Sequence, residues 1–475
     1  MTKNIKIKLL NFLVLIPLYY IVGKKSIFLY VLSLSLYNIF LSCLEHITIK
    51  ECLQKVYYNY SRNKIYKLSI LIIGVSTLVF TLLGIILSNI MENILGINNT
   101  FLVFLFMGFS SLTEPIVKIS LEYLETFNLK KLSKLLFNSY YYVEMILLLI
   151  ISLLVFRLAN IPFEIANACL YLPKLLSTSI ILVVVYLIIK SKDIEFSKKR
   201  EENKVNYLEE IKKIFKNVNL PLVIKNIYYY TSIVILYLVL SKRYSYMLKE
   251  SANIISFVYL YINTFINLVI EFVMIFINYF NKENNPLNKI YLVFDRFLSL
   301  AIIISIISPL IIKVIFNNPN YSIYLLMFGF LSIFIALYNI TFKYIKDNKI
   351  LNISLISGII TKLVLIVPLI DAFYRMGYNL VYGDIISTIA GLFISIIINY
   401  IYLKKSLYAT GYLEKILKSL YENIILCIVL VLFEFLIPIT TNSYIKSLGL
   451  LMAYISLSIM ILNIQKKKEV IKWKK

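Results

Sequence analysis

The sequence predicts an all-α polytopic membrane protein of about fourteen transmembrane helices, set out as two six-helix bundles followed by two extra helices. Three observations predict it. The first is composition: of 475 residues, 60% are hydrophobic and only 16% charged, and the mean hydropathy of +0.82 lies outside the range of soluble domains. The second is run length. The apolar stretches are continuous for about 20 residues, which spans a bilayer as helix, whereas a membrane barrel would alternate apolar and polar residues over strands of about ten. The third is a polar stretch, Lys190–Asn217, with about fifteen charged side chains. A charge at the centre of a membrane helix costs roughly 3 kcal/mol or more, so this stretch stays in water and divides the chain.

The elements follow in order. The first span, 9–22, comes after Lys3, Lys6 and Lys8 and resembles a signal peptide. Gly23-Lys24-Lys25 after it offers no small-x-small cleavage site, so it reads as a retained helix. Spans two to six are expected at 26–44, 68–90, 101–116, 141–156 and 165–189, with polar, amphipathic cytoplasmic stretches at 45–67 and 118–136. In the charged divide, Val205, Leu208, Ile211 and Phe215 share one helical face and Lys212, Lys213 and Lys216 lie off it, the pattern of a helix lying on a membrane surface. The second half repeats the rhythm at 219–240, 252–280, 290–316, 321–342, 350–370 and 379–402, and two more spans follow at 420–439 and 443–464. The expected organisation is therefore an N-terminal bundle (1–190), a linker (191–217), a second bundle (218–404) and two extra helices with a basic tail (405–475).

Charge placement predicts orientation. With both termini in the cytoplasm, roughly 36 of the 49 Lys and Arg fall in cytoplasmic segments and about 9 in external loops, as the positive-inside rule requires. The tail QKKKEVIKWKK then suits anionic head groups. The net charge of +24 is thus read as topology, and a nucleic-acid partner is excluded. The expected location is the bacterial cell membrane.

Most reaction chemistry is excluded too. The four cysteines (Cys43, Cys52, Cys169, Cys427) form no CxxC pair, and His46 is the only histidine, which leaves neither a zinc site nor a histidine-based triad. Gly23-Lys24-Lys25-Ser26 imitates the end of a phosphate-binding loop, but Leu18 stands where that loop needs glycine. There is no HExxH, GxSxG or DxD, and no external loop exceeds about ten residues. The expectation is a transporter with no cofactor, no metal and no catalytic residues. A polysaccharide polymerase, a glycosyltransferase or a non-transporting scaffold for synthases are the other classes weighed.

Ionisable residues inside the spans are the candidate site, because their presence in hydrocarbon is expensive. Lys362 lies near the midplane of span eleven and Lys174 follows Pro173 in span six. Lys225 and the pair Asp295–Arg296 are shallower, where snorkelling to the head groups is an equal explanation. The acids are Glu114 beside Pro115, Glu144, Glu271 and Glu434. Lys362, Lys174, Lys225 and Arg296 are expected to receive an anionic head group, for which cationic side chains supply charge and donors together. Glu114, Glu144 and Glu271 are expected to respond to protons or sodium. Ion pairs that merely join helices are the competing reading. Pro17, Pro115, Pro173, Pro221, Pro309 and Pro368 suit helices that bend during transport.

Fourteen spans with a charged linker after the sixth resemble the multidrug/oligosaccharidyl-lipid/polysaccharide (MOP) exporter superfamily. Leu44–Phe80 is similar to that family's second span, basic loop and third span, and Glu114–Ile150 to the segment bridging spans four and five. Asn352–Lys405 is similar to its eleventh–twelfth hairpin, although Gly377 and Gly383 are six apart and fit the family's glycine turn loosely. The two extra helices favour the branch of MurJ/SpoVB-type and Wzx-type flippases. That resemblance implies movement of an undecaprenyl-pyrophosphate-linked sugar from inner to outer leaflet, a lipid-tail groove along spans thirteen and fourteen, and wall or polysaccharide synthases as partners. An ion-coupled multidrug exporter of the same superfamily is the alternative. The family's arginines in spans one and two have no counterpart here, and span eight carries Glu271 in place of arginine.

Overall fold

The computed structural model describes residues 2–48, 62–95, 100–125, 129–159, 161–191, 220–244, 248–280, 286–317, 319–345, 347–407, 412–437 and 443–472. The proposed surface helix at 205–215 and most of the stretch 45–67 lie outside these residues. The described residues form no strand. They form fourteen helical rods, each at one of the fourteen expected positions.

These are α1 (Thr2–Val22), α2 (Lys24–Thr48), α3 (Arg62–Leu95), α4 (Thr100–Glu125), α5 (Lys130–Leu153), α6 in two pieces (Phe163–Cys169 and Leu172–Ser191) and α7 (Leu220–Arg243). Then come α8 (Leu248–Ser256 and Asn263–Phe280, joined by a π-helical turn Phe257–Ile262), α9 (Pro286–Phe316), α10 (Ser322–Tyr344), α11 (Asn348–Arg375), α12 (Val381–Leu407), α13 (Tyr412–Leu436) and α14 (Tyr444–Lys472). Ten of them are long and apolar enough to cross a membrane, and α2 and α14 carry shorter apolar stretches at Ser26–Leu41 and Ile445–Ile461. The chain is a multi-pass α-helical membrane protein.

Local chemistry explains several boundaries. Gly23 takes a positive φ of 85° between α1 and α2, a conformation that costs glycine least. Pro286 is the first residue of α9, where a missing N–H leaves nothing unsatisfied. The Asp347 side chain caps α11 by accepting from the Lys349 N–H at 2.8 Å. Hydroxyls inside the spans bond back to their own helix, as Ser33 does to the Leu29 carbonyl, Ser35 to Val31 and Thr77 to Ile73. That satisfies them where no water is available. The stretch 118–136, expected to be amphipathic, is helical over most of its described length: α4 runs on to Glu125 and α5 begins at Lys130. Its Leu, Lys and Glu are good helix formers, and no Pro or Gly breaks them before Glu125.

The chain divides into two compact units, residues 9–256 and residues 1–8 with 257–475. Thus α7 and the first piece of α8 pack with the first unit, on α2. In residues 9–256, α4 is central and packs on α2, α3, α5 and α6. Tyr37 and Leu41 of α2 meet Val103 and Met107 of α4 and Tyr171 of α6 in one buried cluster. Leu121, Tyr140 and Ile181 join α4, α5 and α6 in another. In the other unit α11 and α12 form a close hairpin, as do α9 and α10, and α13 and α14 pack on α9. The α11–α12 contact relies on small residues. A Cβ on Gly358 would lie 2.8 Å from the Gly391 carbonyl oxygen, and one on Gly383 would lie 2.7 Å from the Ile370 nitrogen.

Candidate functional site

In residues 9–256 the polar centre is Glu114 on α4, 4% exposed. Lys174 of α6 reaches its Oε2 at 2.6 Å and Lys118, one turn along α4, reaches Oε1 at 3.0 Å. The Tyr37 hydroxyl of α2 donates to Oε2 at 2.6 Å. The Lys174 ammonium also sits over the Tyr37 ring, 4.3 Å from its centroid, a cation–π contact. Two cations and a hydroxyl supply what an ionised carboxylate needs when water is removed. Pro115, next in the chain, has no N–H to offer the Ser111 carbonyl, which loosens the α4 backbone at the carboxylate.

Beside this cluster lies a cleft lined by Tyr30, Tyr37, Tyr171, Ser110, Glu144 and Lys174. Glu144, on α5, is half-buried and shares the cleft with the Lys174 ammonium. About 370 Å³ of space belongs to the cleft, part of it open to the outside, and the enclosed part holds about one water molecule. In this conformation it admits a water or a bare ion and no sugar.

In residues 257–475 a second lysine–carboxylate pair is sealed. Lys362 of α11 is 3.2 Å from Asp384 of α12, and both side chains are 2% exposed. The Tyr259 hydroxyl, projecting from the π-helical turn of α8, donates to Asp384 Oδ2. Lys362 therefore stands against a carboxylate inside the protein and does not line an open cavity.

The remaining expected residues fall elsewhere. Lys225 is half-buried on α7 and does not line the cleft. Arg296 lies 3.8 Å from its neighbour Asp295. Asp295 in turn accepts from Ser419 at 2.6 Å and Asn423 at 3.3 Å, and Ser299 donates to Asn423 at 2.7 Å, a polar seam joining α9 to α13. Glu271 of α8 pairs with Lys8 of α1, both partly exposed. Glu434 is half-buried on α13. Of the candidates, then, the structure brings together Glu114, Glu144 and Lys174. Among the described residues no three His, Cys, Asp or Glu side chains gather as a metal site.

Sequence reasoning missed Lys118, Tyr37, Asp384 and Tyr259. Glu114 and Lys118 are four apart, a spacing that pairs side chains on a helix, so Lys118 was findable. Asp384 stands inside the expected span 379–402 and carries the same signal as Glu114, Glu144 and Glu271. The two tyrosines carried no signal among 39.

No protein-family model matches the sequence, and the search of curated proteins returns no match. Solved structures do match. The chain is similar to the lipid II flippase MurJ in an inward closed conformation, with a TM-score of 0.67 at 15% identity over 99% of each chain. It is also similar to a multidrug resistance MATE family transporter of the MOP superfamily in an inward-facing conformation. There the TM-score is 0.54 at 12% identity, over 85% of this chain and 94% of that one. The resemblance read from the sequence is thereby shown at the level of the fold: this is a multi-pass membrane protein with the fold of these transporters.

Proposed function

We propose that the protein is a transporter that moves a lipid-linked, pyrophosphate-bearing sugar from the inner to the outer leaflet by alternating access. The observation that carries this reading is the extent of the likeness to the flippase. It runs over 99% of both chains, so that it includes the two helices beyond the twelfth. The multidrug transporter leaves 15% of this chain uncovered, about the length of residues 405–475.

The site chemistry is consistent with such a cargo. Lys174 and Lys118 offer two cations to phosphate oxygens once Glu114 is displaced or neutralised. Tyr30, Tyr37 and Tyr171 offer flat rings with hydroxyl edges, which suit a sugar's mixture of C–H faces and hydroxyls. The cleft is too narrow for the head group in this conformation, so binding requires α2, α4, α5 and α6 to part. Both termini in the cytoplasm, a bacterial cell membrane and polysaccharide or wall synthases as neighbours belong to the same reading.

The test is reconstitution. The purified protein is placed in liposomes with a fluorescent undecaprenyl-pyrophosphate sugar, and the probe's exposure to a membrane-impermeant quencher is followed. Protein-dependent exchange between leaflets is expected. A second reading, an ion-coupled exporter of cationic drugs, is favoured by the carboxylates Glu114 and Glu144 at the cleft. Efflux of a cationic dye driven by a pH or sodium gradient, with no lipid movement, would establish that reading instead.

A further inference from the structure

We propose that Glu144 selects a cargo whose head group carries a primary amine beside its pyrophosphate, that is, an amino sugar with its nitrogen unacylated. This rests on the transport reading above. The formal charges at the cleft cancel. Lys174 and Lys118 both stand on Glu114, and Glu144 lines the same cleft as Lys174, so two lysines stand against two acids. A pyrophosphate that takes the lysines meets Glu144 as a like charge. An acid inside a membrane is costly to keep, and one that only repels the cargo is costlier. A cargo that brings its own cation turns that repulsion into a pair.

The bonding within the cleft singles this carboxylate out. Most of the other polar groups there are engaged by the protein itself. The Tyr37 hydroxyl donates to Glu114 at 2.6 Å, the Tyr171 and Ser33 hydroxyls bond each other, and the Ser110 hydroxyl donates to the Phe106 carbonyl at 3.0 Å. Glu114 is answered by two lysines and a tyrosine. Glu144 is different: none of the ion pairs formed among the described residues includes it. It is half-buried, and it faces a space that opens in part to the outside. The fold thus places a second carboxylate at the cleft and supplies its cation from nowhere in the described chain.

An ammonium suits Glu144 better than a sugar hydroxyl does. It presents three donors and a charge, where the hydroxyl presents one donor. Hydrogen bonds between charged partners are roughly twice as strong as neutral ones, and they gain as water leaves the cleft. The two ends of the head group are then read by opposite signs. Lys118 of α4 and Lys174 of α6 hold phosphate oxygens, and Glu144 of α5 holds the amine, so that one cargo ties three helices together. Selectivity follows from the half-matches. A neutral-sugar lipid leaves Glu144 against its phosphates, and a cationic drug leaves the lysines without an anion. Each is penalised at the end it fails to match.

The experiment is calorimetric titration of the full-length protein in lipid nanodiscs with two short-chain cargoes, farnesyl-pyrophosphoryl-glucose and its 6-amino-6-deoxy counterpart. The two differ by one hydroxyl exchanged for an alkyl amine, which is protonated at neutral pH as lysine is. The wild type is expected to bind the amine form tenfold or more tightly than the hydroxyl form. Glu144→Gln keeps the size and the acceptor oxygen but not the charge. It is expected to lose the preference and to bind the hydroxyl form severalfold more tightly than the wild type does. Glu144→Asp keeps the charge on a shorter stem and is expected to keep a preference for the amine, whether or not the Gln variant folds. Binding of both forms by the wild type without preference for the amine overturns the proposal and leaves the flippase reading standing. A preference that survives in Glu144→Gln, or is lost in Glu144→Asp, overturns the assignment to Glu144. No binding of either form by the wild type overturns both.

Discussion

Each compact unit contains a lysine, a carboxylate and a tyrosine hydroxyl in contact, and the two trios differ in how they meet the outside. Lys174, Glu114 and Tyr37 stand at the wall of a cleft, with the lysine side chain 16% exposed and a second cation, Lys118, on the same carboxylate. Lys362 and Asp384 are sealed, each 2% exposed, and Tyr259 beside them is half-buried. The tyrosine comes from α2 in one trio and from the π-helical turn of α8 in the other. The difference is one of access. A pair at the edge of a cleft can exchange one partner for a ligand by a side-chain movement, whereas a sealed pair needs a helix to move first. In the transport reading it is the open trio that meets the cargo.

The contrast can be broken at its strongest point first. Removing one member of the sealed pair, as in Lys362→Met, is expected to destabilise the protein by roughly 3–5 kcal/mol, because it strands a buried charge. Lys362→Met combined with Asp384→Asn is expected to recover most of that. Thermal unfolding in detergent reads both, and a double variant as unstable as the single one would show that the pair is not coupled. At the open trio, Lys174→Ala is expected to cost less stability, since Lys118 still neutralises Glu114, yet to slow lipid movement about tenfold or more. A tenfold loss corresponds to about 1.4 kcal/mol, within the range of one charge-assisted hydrogen bond. Unchanged movement in the quencher assay would remove Lys174 from the site. The smallest effect is expected away from both trios. Ser419→Ala cuts one bond between α13 and Asp295 and should cost roughly 0.5–1.5 kcal/mol in unfolding, with lipid movement retained.

The fold was legible because membrane helices announce themselves by length. The fourteen rods fall at the fourteen expected places since a run such as 350–370 has no other way to satisfy its backbone in hydrocarbon. The unit boundary was less so. The division into compact units falls at Phe257, a matter of packing that no local pattern encodes. For the site, single intramembrane charges were readable but their partners were not. Lys362 looked like an open receptor because its partner Asp384 lies 22 positions along the chain, across the α11–α12 turn. Lys174 and Glu114 are both candidates in the sequence with separate expected roles, and only their 2.6 Å separation shows them as one unit. The competing reading of helix-joining charges fits Asp295 best, which ties α13 to α9 through Ser419 and Asn423.

The central claim is that the cleft in residues 9–256 receives the cargo's head group. The most direct measurement is cysteine protection at Leu34, which lines that cleft, as Leu34→Cys in a protein otherwise free of cysteine. Labelling by a small thiol reagent is followed in nanodiscs with undecaprenyl-pyrophosphoryl-N-acetylglucosamine or with undecaprenol alone. The account predicts labelling that the sugar-pyrophosphate lipid slows severalfold and undecaprenol leaves unchanged. Labelling that ignores the cargo, in a protein that moves it between leaflets, would contradict the account.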